Sequence, residues 1–302
     1  MRIVVLNSSN LVPDGQNNSL IYKFPNSVLF KGNSIAVSSV SMYYSWFNIS
    51  SAFGNNTFTY TWINGTTTTT YNVVIPDGLY EIVDLNLFLQ YTFIENGNYL
   101  IDSGGKNVYY GEFLLNPTRY AVQVNTYLVP TSAQATALGY KAPVGFAGFP
   151  TTSYNPIFTF PSNFNVIIGF NANYSTPDNT GNAYVPPPNQ TLITKNNNGT
   201  ISSLSTQAPN VQPNSSIYFS LSNINNPYSS PSSIIYALVP TGAVGTLIAE
   251  RPPQFAWNKM IDGTYNELRL QFLGSNFQPI IINDPQMTIM LVIKESDEYG
   301  GK

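Results

Sequence analysis

The sequence predicts an all-β fold, built as a sandwich of sheets with two short connecting helices. Short runs of the chain alternate apolar and polar residues, as a strand with one buried face does. Turn dipeptides separate these runs, and Asn64-Gly65 in particular favours a tight hairpin. Hydrophobic residues make up 43% of the chain and aromatic residues 14%. That supply of apolar side chains is enough for a core and excludes disorder of the whole chain.

The predicted strands differ in how many of their faces are buried. Residues 57–62 alternate strictly, with aromatic residues on one side and threonines on the other, and residues 266–272 alternate with charged partners. The runs 289–293 and 166–168 are apolar throughout, which predicts strands covered on both faces. Further strands are predicted at 19–24, 69–75, 107–115, 119–128, 157–160, 217–221 and 233–239.

The longest strand pattern covers residues 34–49, and its alternation shifts near Ser38-Ser39. Such a shift indicates a bulge, because one extra residue changes which side chains face the core. The core-facing residues of this run are predicted to be Ile35, Val37, Val40, Met42, Tyr44 and Trp46.

Two helices interrupt the strands. Residues 79–95 show a helical apolar face, and Asp77 lies where it could cap the first turn. A shorter helix is predicted with Ser132 as its cap, residues 133–138 as its body and Gly139 as its end. Both helices are expected to connect strands across the end of the sandwich. The apolar face of the first consists of Ile82, Leu85, Leu89 and Phe93.

Two segments lack any periodicity. Residues 172–214 are rich in Asn, Ser, Thr and Pro, and a loop of that length inside a compact domain is uncommon. We therefore expect a discontinuous main domain of residues 1–171 and 215–302, with residues 172–214 as a polar insertion, either an exposed loop or a small subdomain.

The second segment, residues 141–156, is rich in Gly and Pro and contains three apolar residues with no assigned core position, Val144, Phe146 and Phe149. One interpretation is that they fold back as a lid over the end of the sandwich. The other is that they contact a neighbouring subunit, which makes them candidate assembly contacts.

The composition excludes several classes of function. The chain has no His and no Cys, so it lacks the usual base near neutral pH, the thiolate nucleophile and the preferred zinc ligands. Its charged fraction is 9%, against about 25% in ordinary domains, and no basic cluster or membrane-spanning run is present. These features predict a protein that is not an enzyme, with no cofactor, no metal and no nucleic-acid patch. They also favour synthesis inside a cell, because no signal peptide and no disulfide are predicted.

The candidate acidic sites have simpler explanations than chemistry. Asp77, Glu81 and Asp84 lie at a helix start, where negative charge complements the helix dipole. Residues 178–182 contain oxygen ligands suited to calcium, but a polar loop explains them as well. The pair Glu250-Arg251 is expected to be solvated. A glycosidase needs only two carboxylates, so the 15 acidic residues leave that class open.

Two further signals were weighed against packing or chance. Exposed Trp and Tyr side chains could stack sugars, but the tryptophans lie in or near alternating strands, so Trp46, Trp62 and Trp257 are expected in the core. Asn-X-Ser/Thr triplets are explained by the abundance of Asn. These triplets begin at Asn7, Asn17, Asn48, Asn55, Asn64, Asn173, Asn189, Asn198 and Asn214.

Three places in the chain carry a resemblance to a known family. The first is the strand that ends in an aromatic cluster, Val40-Ser41-Met42-Tyr43-Tyr44-Ser45-Trp46-Phe47-Asn48-Ile49. The second is the passage Val73-Val74-Ile75-Pro76-Asp77-Gly78-Leu79-Tyr80 into the first helix, with Leu138-Gly139-Tyr140 later. The third is the ending, in which residues 266–272 are followed by a turn, Asp284-Pro285 and residues 287–294.

In the order of these features the chain resembles the penton (vertex) proteins of double-stranded DNA viruses with double-jelly-roll capsids. That group includes virophages, Polinton-like viruses and nucleocytoplasmic large DNA viruses. The resemblance spans most of 30–140 and 215–295. It implies a single jelly roll that assembles as a homopentamer at icosahedral vertices and contacts neighbouring major capsid proteins and minor capsid proteins. The location implied is the virion, after synthesis in the infected host cell.

The hypothesis from the sequence is therefore a structural capsid protein, a penton. Two alternatives stay open at this point. One is another jelly-roll minor capsid or fibre component, and the other is a glycan-binding or glycoside-cleaving β-sandwich.

Overall fold

The computed structural model describes residues 1–13, 17–178, 192–211, 216–242 and 245–295 of the chain. The chain divides into two compact units. The first consists of Met1–Phe47 and Gln212–Lys302, and the second is the continuous stretch Asn48–Val211.

The regular structure of the described residues is mostly β-strand. Within this part of the chain, every strand pairs with its neighbours in the antiparallel direction. In chain order the strands are β1 (Arg2–Asn7), β2 (Ser19–Phe30), β3 (Ser34–Tyr43), β4 (Thr57–Asn64), β5 (Thr67–Val74), β6 (Leu100–Ile101), β7 (Asn107–Val108), β8 (Gly111–Asn116), β9 (Ala121–Thr126), β10 (Phe158–Phe160), β11 (Tyr174–Ser175), β12 (Leu192–Lys195), β13 (Ile201–Leu204), β14 (Ile217–Leu221), β15 (Ile234–Leu238), β16 (Leu247–Glu250), β17 (Asn258–Lys259), β18 (Gly263–Leu273) and β19 (Thr288–Lys294).

Helices are few and short in the described part of the chain. They are α1 (Ile82–Glu95), α2 (Ser132–Ala137) and α3 (Phe164–Ile167), with single 3-10 turns at Ser8–Asn10 and Ser51–Phe53. An all-β fold with two connecting helices was predicted, and the strand content confirms the fold class.

The first unit has the strand order of a jelly roll. One sheet runs β1-β19-β3-β16, with β17 also paired to β3, and the other runs β15-β14-β18-β2. Numbered one to eight along the unit without β17, the strands follow the order 1-8-3-6 in one sheet and 5-4-7-2 in the other. Eight antiparallel strands in two such sheets form the double Greek key of a jelly roll.

The strands β3 and β19 pair with each other at the centre of their sheet. Strand β19 lies between β1 and β3, and Ile289 is opposite Val40. The register shifts between Met290 and Leu291, whose partners are Ser39 and Val37. The unpaired residue is therefore Ser38, which confirms the predicted bulge. The predicted core residues of the 34–49 run are all buried, although strand β3 itself ends at Tyr43.

The second unit contains two four-stranded sheets, β11-β10-β4-β5 and β12-β13-β9-β8, and the short hairpin β6-β7. The predicted hairpin at Asn64-Gly65 joins β4 to β5, and Gly65 has the positive φ of 61° that its turn requires. A buried and largely aromatic cluster packs strands of this unit against α1 and α3. Its residues include Phe58, Tyr60, Leu85, Leu89, Phe93, Phe113, Val122, Phe158, Phe160 and Phe164.

The division of the chain differs from the predicted boundaries of 1–171 with 215–302 and 172–214. The second unit is the continuous stretch Asn48–Val211, and the described part of 172–214 supplies β11, β12 and β13 to its sheets. Residues 179–191 and 212–215 lie outside the described residues. The alternation of residues along a strand shows that it has a buried face, but not which sheet it joins. The strands of the two units therefore have a sequence pattern that also fits a single sandwich.

Three local predictions need correction. Residues 166–168 are not a strand, because Phe164–Ile167 is a helical turn and a short apolar run has no periodicity to separate the two states. Helix α1 begins at Ile82 rather than 79, and Glu81 is its N-cap residue, with Asp84 completing a capping box. Helix α2 is capped by Thr131 rather than Ser132.

Candidate assembly surfaces

The acidic residues at the start of α1 have structural roles. Asp77 does not cap the helix but accepts hydrogen bonds from the backbone N–H of Ser51 (2.7 Å) and the hydroxyls of Ser50 (3.0 Å) and Ser51 (3.1 Å). The Ser51 N–H bond is the main reason that the pKa of Asp77 is lowered from 3.8. Asp84 accepts from the backbone N–H of Glu81 at 2.9 Å. Among the described residues, no three His, Cys, Asp or Glu side chains form a metal-binding group.

Of the other acidic candidates, the structure describes the pair Glu250-Arg251 but only the first residue of the 178–182 loop. Most of the 178–182 loop lies outside the described residues. Glu250 is not simply solvated as predicted, because its Oε1 accepts a hydrogen bond from the hydroxyl of Tyr236 at 2.6 Å. Glu112 similarly accepts from the Tyr127 hydroxyl and from Asn125 Nδ2.

Two of the three tryptophans are in the core, as predicted. Trp46 and Trp62 are each 1% exposed, whereas Trp257 is 38% exposed, which corrects its predicted position. The Trp257 ring meets Phe255 edge-on, with centroids 5.4 Å apart. Buried Asn48 and Asn55 use their side chains within the fold, which fits the interpretation that their triplets arose by chance.

The candidate contacts Val144, Phe146 and Phe149 lie on a segment that we call the lid segment, residues 143–151. Phe146 and Phe149 are half-buried and pack against a side cluster of the second unit, with the Phe146 ring edge-on to Trp62 at 6.2 Å. Their own rings are 4.6 Å apart. The side chain of Val144, by contrast, is fully exposed. The structure therefore shows the lid contacts for both phenylalanines, and a partner contact stays a prediction for all three residues.

Backbone hydrogen bonds hold the lid segment in place. Ala147 N donates to Gly97 O (3.0 Å), and Gly65 N donates to Phe149 O (2.8 Å). The indole of Trp62 donates to Gly148 O at 3.1 Å. Gly148 has φ of +107°, and a Cβ there would come within 2.2 Å of the Asn64 side chain. The segment is thus a fixed part of the second unit.

Helix α1 carries an apolar stripe that the sequence prediction missed. Its inner face is buried as predicted, but Val83, Leu87, Tyr91 and Ile94 are 58, 58, 55 and 40% exposed. These positions are three or four residues apart, so their side chains are neighbours on the outer helix surface. The same spacing is visible in the sequence. A prediction of one buried face accounts for only part of the apolar residues of this helix.

This outer stripe bears the marks of a protein-binding surface. The charged side chains within α1 are Asp84 and Glu95, both acidic, and they border the stripe, three residues before Leu87 and four residues after Tyr91. A helix that is apolar on two faces is normally covered on both. Large contiguous apolar patches on a protein surface mark interaction sites, which makes this stripe a candidate for one.

The jelly-roll unit exposes apolar side chains at both edges of its first sheet. On the edge strand β1, Ile3 and Val5 are 59 and 43% exposed. On the opposite edge strand β16, Leu247 is 52% exposed, and the adjacent end of β3 exposes Tyr43. The described residues thus carry exposed apolar groups in both units.

Comparisons with known proteins give a structural likeness and no sequence match. No family model and no curated protein matches the sequence. Among solved structures, the chain is similar to the crystal structure of the mavirus penton protein, with 11% identity, a TM-score of 0.41, and coverage of 98% of this chain and 100% of that one. The jelly-roll assignment rests on the strand order of this chain itself. No helix in the described residues is long and apolar enough to span a bilayer.

Proposed function

We propose that this chain is a structural capsid protein, a penton that forms a homopentamer at the icosahedral vertices of a virion and contacts neighbouring major capsid proteins. The observation that carries the proposal is the outer apolar stripe of α1, which a protein working alone would leave exposed to water. The jelly-roll strand order and the sequence resemblance support the same function. The proposal includes a structural role without catalysis and the synthesis of the capsid within an infected cell.

Native mass spectrometry of the purified chain tests the proposal directly. We expect a homopentamer. A monomer at all accessible concentrations would contradict the penton function. A trimer would favour a fibre or another minor capsid component, and a monomer that binds a glycan array would favour the carbohydrate-binding alternative.

Two leucines on α1 offer a matched test of the stripe. Leu87 is 58% exposed and Leu89 is 1% exposed, so the same substitution probes the outer and inner faces of one helix. Leu87→Ala should weaken either the self-assembly of this chain or the binding of this chain by the major capsid protein. It should leave the melting temperature of the isolated subunit unchanged. Leu89→Ala should cost about 2–5 kcal/mol of subunit stability, the usual loss for a buried leucine. If Leu87→Ala changes neither assembly nor capture, the stripe is not an assembly contact.

A further inference from the structure

The first sheet of the jelly-roll unit has two unlike edges with complementary properties. Its strand order is β1-β19-β3-β16, and each neighbouring pair is antiparallel. Within the described residues, β1 pairs with β19 alone, and β16 pairs with β3 alone. Because the sheet has four alternating strands, the two edge strands run in opposite directions. A second copy in the same orientation would therefore bring its β1 antiparallel to β16 of the first.

The side chains of the two edges match when Leu247 is placed opposite Val5 of the second copy. Ala249 is then opposite Ile3, and all four of these residues are exposed on the outer face. Ile248 is opposite Val4, and both are buried on the core face, at 3 and 5% exposure. Side chains alternate between the two faces of a sheet, so a slip of one residue would set outer residues against core residues.

The charges of the two edges agree with the same alignment. Glu250, at the end of β16, is then opposite Arg2, at the start of β1. Arg2 already pairs with Glu295 of its own chain at 2.7 Å through one nitrogen, and its guanidinium has further donors for a second carboxylate. Opposite charges directly across two strands are favourable, and like charges there are not.

We infer that β16 of one copy pairs antiparallel with β1 of the next copy, with Leu247 opposite Val5, so that one sheet continues from subunit to subunit. This inference rests on the proposed function, because it identifies the contact that would close the homopentamer. Two different edges form a head-to-tail contact, which generates a ring where the rotation between copies closes and an open filament where it does not, and the proposed homopentamer requires the closed form. The strand β16 ends at Glu250, and Pro252-Pro253 follow close behind it, which limits the pairing to a short segment.

Engineered cysteines test the pairing cleanly, because the chain has no Cys of its own. The in-register variants are Val5→Cys with Leu247→Cys, and Ile3→Cys with Ala249→Cys. Directly opposed residues lie about 4.5–5.5 Å apart between Cα atoms, within the range that a disulfide spans. Val5→Cys with Ala249→Cys is the offset control, because diagonal neighbours are about 7–8 Å apart.

The assembled protein is oxidised mildly and analysed on non-reducing gels. Both in-register pairs should give a ladder that ends at the pentamer, and should cross-link about tenfold faster than the offset pair. All these sites are exposed, so the reduced variants should melt as the parent does. Val5→Cys alone should give almost no dimer, and a strong dimer from it would overturn the inference in favour of β1 pairing with itself.

The outcomes separate this inference from the proposed function. If native mass spectrometry shows a pentamer but the in-register pairs cross-link no faster than the offset pair, the strand pairing is overturned and the penton function stands. If the chain is a monomer throughout, both are overturned. A pentamer with rapid in-register cross-linking supports both.

Discussion

Phe146→Ala should destabilise the second unit, whereas Val144→Ala should not. The Phe146 ring packs edge-on against buried Trp62 and lies 4.6 Å from the ring of Phe149. The Val144 side chain is fully exposed and loses no contact within the chain when truncated. Phe146→Ala should therefore lower the free energy of unfolding, and Val144→Ala should leave it unchanged.

The size of the loss follows from the burial of the Phe146 ring. Truncating a fully buried phenylalanine costs about 3–5 kcal/mol. Phe146 is only half-buried, so we expect about half of this, roughly 2 kcal/mol. For a cooperative unit of about 150–250 residues, a loss of 1 kcal/mol lowers Tm by about 2–4 °C, which predicts a fall of roughly 4–8 °C.

Near-ultraviolet circular dichroism is the suitable assay, because Trp62 lies beside the substituted ring and reports the melting of this cluster. The melts are run at concentrations where the subunit is monomeric, and assembly is measured separately on the same variants. If the Phe146→Ala variant melts as the parent does but assembles poorly, the lid assignment is refuted. Unchanged melting together with unchanged assembly would refute both roles proposed for this residue.

Three further predictions concern the fold and its response to pH. A chain truncated after Asn283 loses β19, the strand between β1 and β3, and should not give a soluble, cooperatively melting protein; one that does would contradict the placement of that strand. Asp77→Asn should lower Tm at neutral pH, because the native pKa of Asp77 is lowered and its stabilisation is present above 3.8. The difference in Tm should shrink as pH falls below that value, and a difference that stays constant would rule out the ionised carboxylate as the cause. Burial and the Glu112 hydrogen bond raise the pKa of Tyr127 to about 12, and burial raises the pKa of Tyr60 and Tyr154 above 10.0. Stability should therefore fall as pH rises above 10, with tyrosine ionisation and loss of circular dichroism in one transition; ionisation of all tyrosines before unfolding would contradict this.

The features that the sequence predicted well are those with local causes. The bulge at Ser38 follows from a shift in alternation within one strand, and the hairpin at Asn64-Gly65 follows from the turn preference of two adjacent residues. The inner face of α1 follows from helical spacing. In each case the residues that carry the signal also form the structure.

The features that the sequence did not predict depend on distant partners. The boundary at Asn48 separates two units, but the alternating patterns on its two sides do not say which strands pair. Asp77 looked like a helix cap because it precedes α1, whereas its actual partners, Ser50 and Ser51, come from a preceding turn. Trp257 lies near alternating residues, yet only the fold shows that nothing covers it fully.

Under the proposed pentamer, the edges of the jelly roll and the stripe of α1 differ in the kinds of contact that they can make. A head-to-tail contact uses two unlike surfaces on every subunit, which the β1 and β16 edges provide. The stripe is a single surface, so a contact between two identical stripes would join subunits in twos. Five subunits cannot all be joined in twos within one ring. A contact between two stripes would therefore join copies of different rings, whereas a stripe that binds an unlike surface could serve within the ring or toward the major capsid protein of the proposed capsid. The Leu87→Ala variant separates these contacts, because it would weaken pentamer formation if the stripe binds within the ring and only capture by the major capsid protein if the stripe binds that protein.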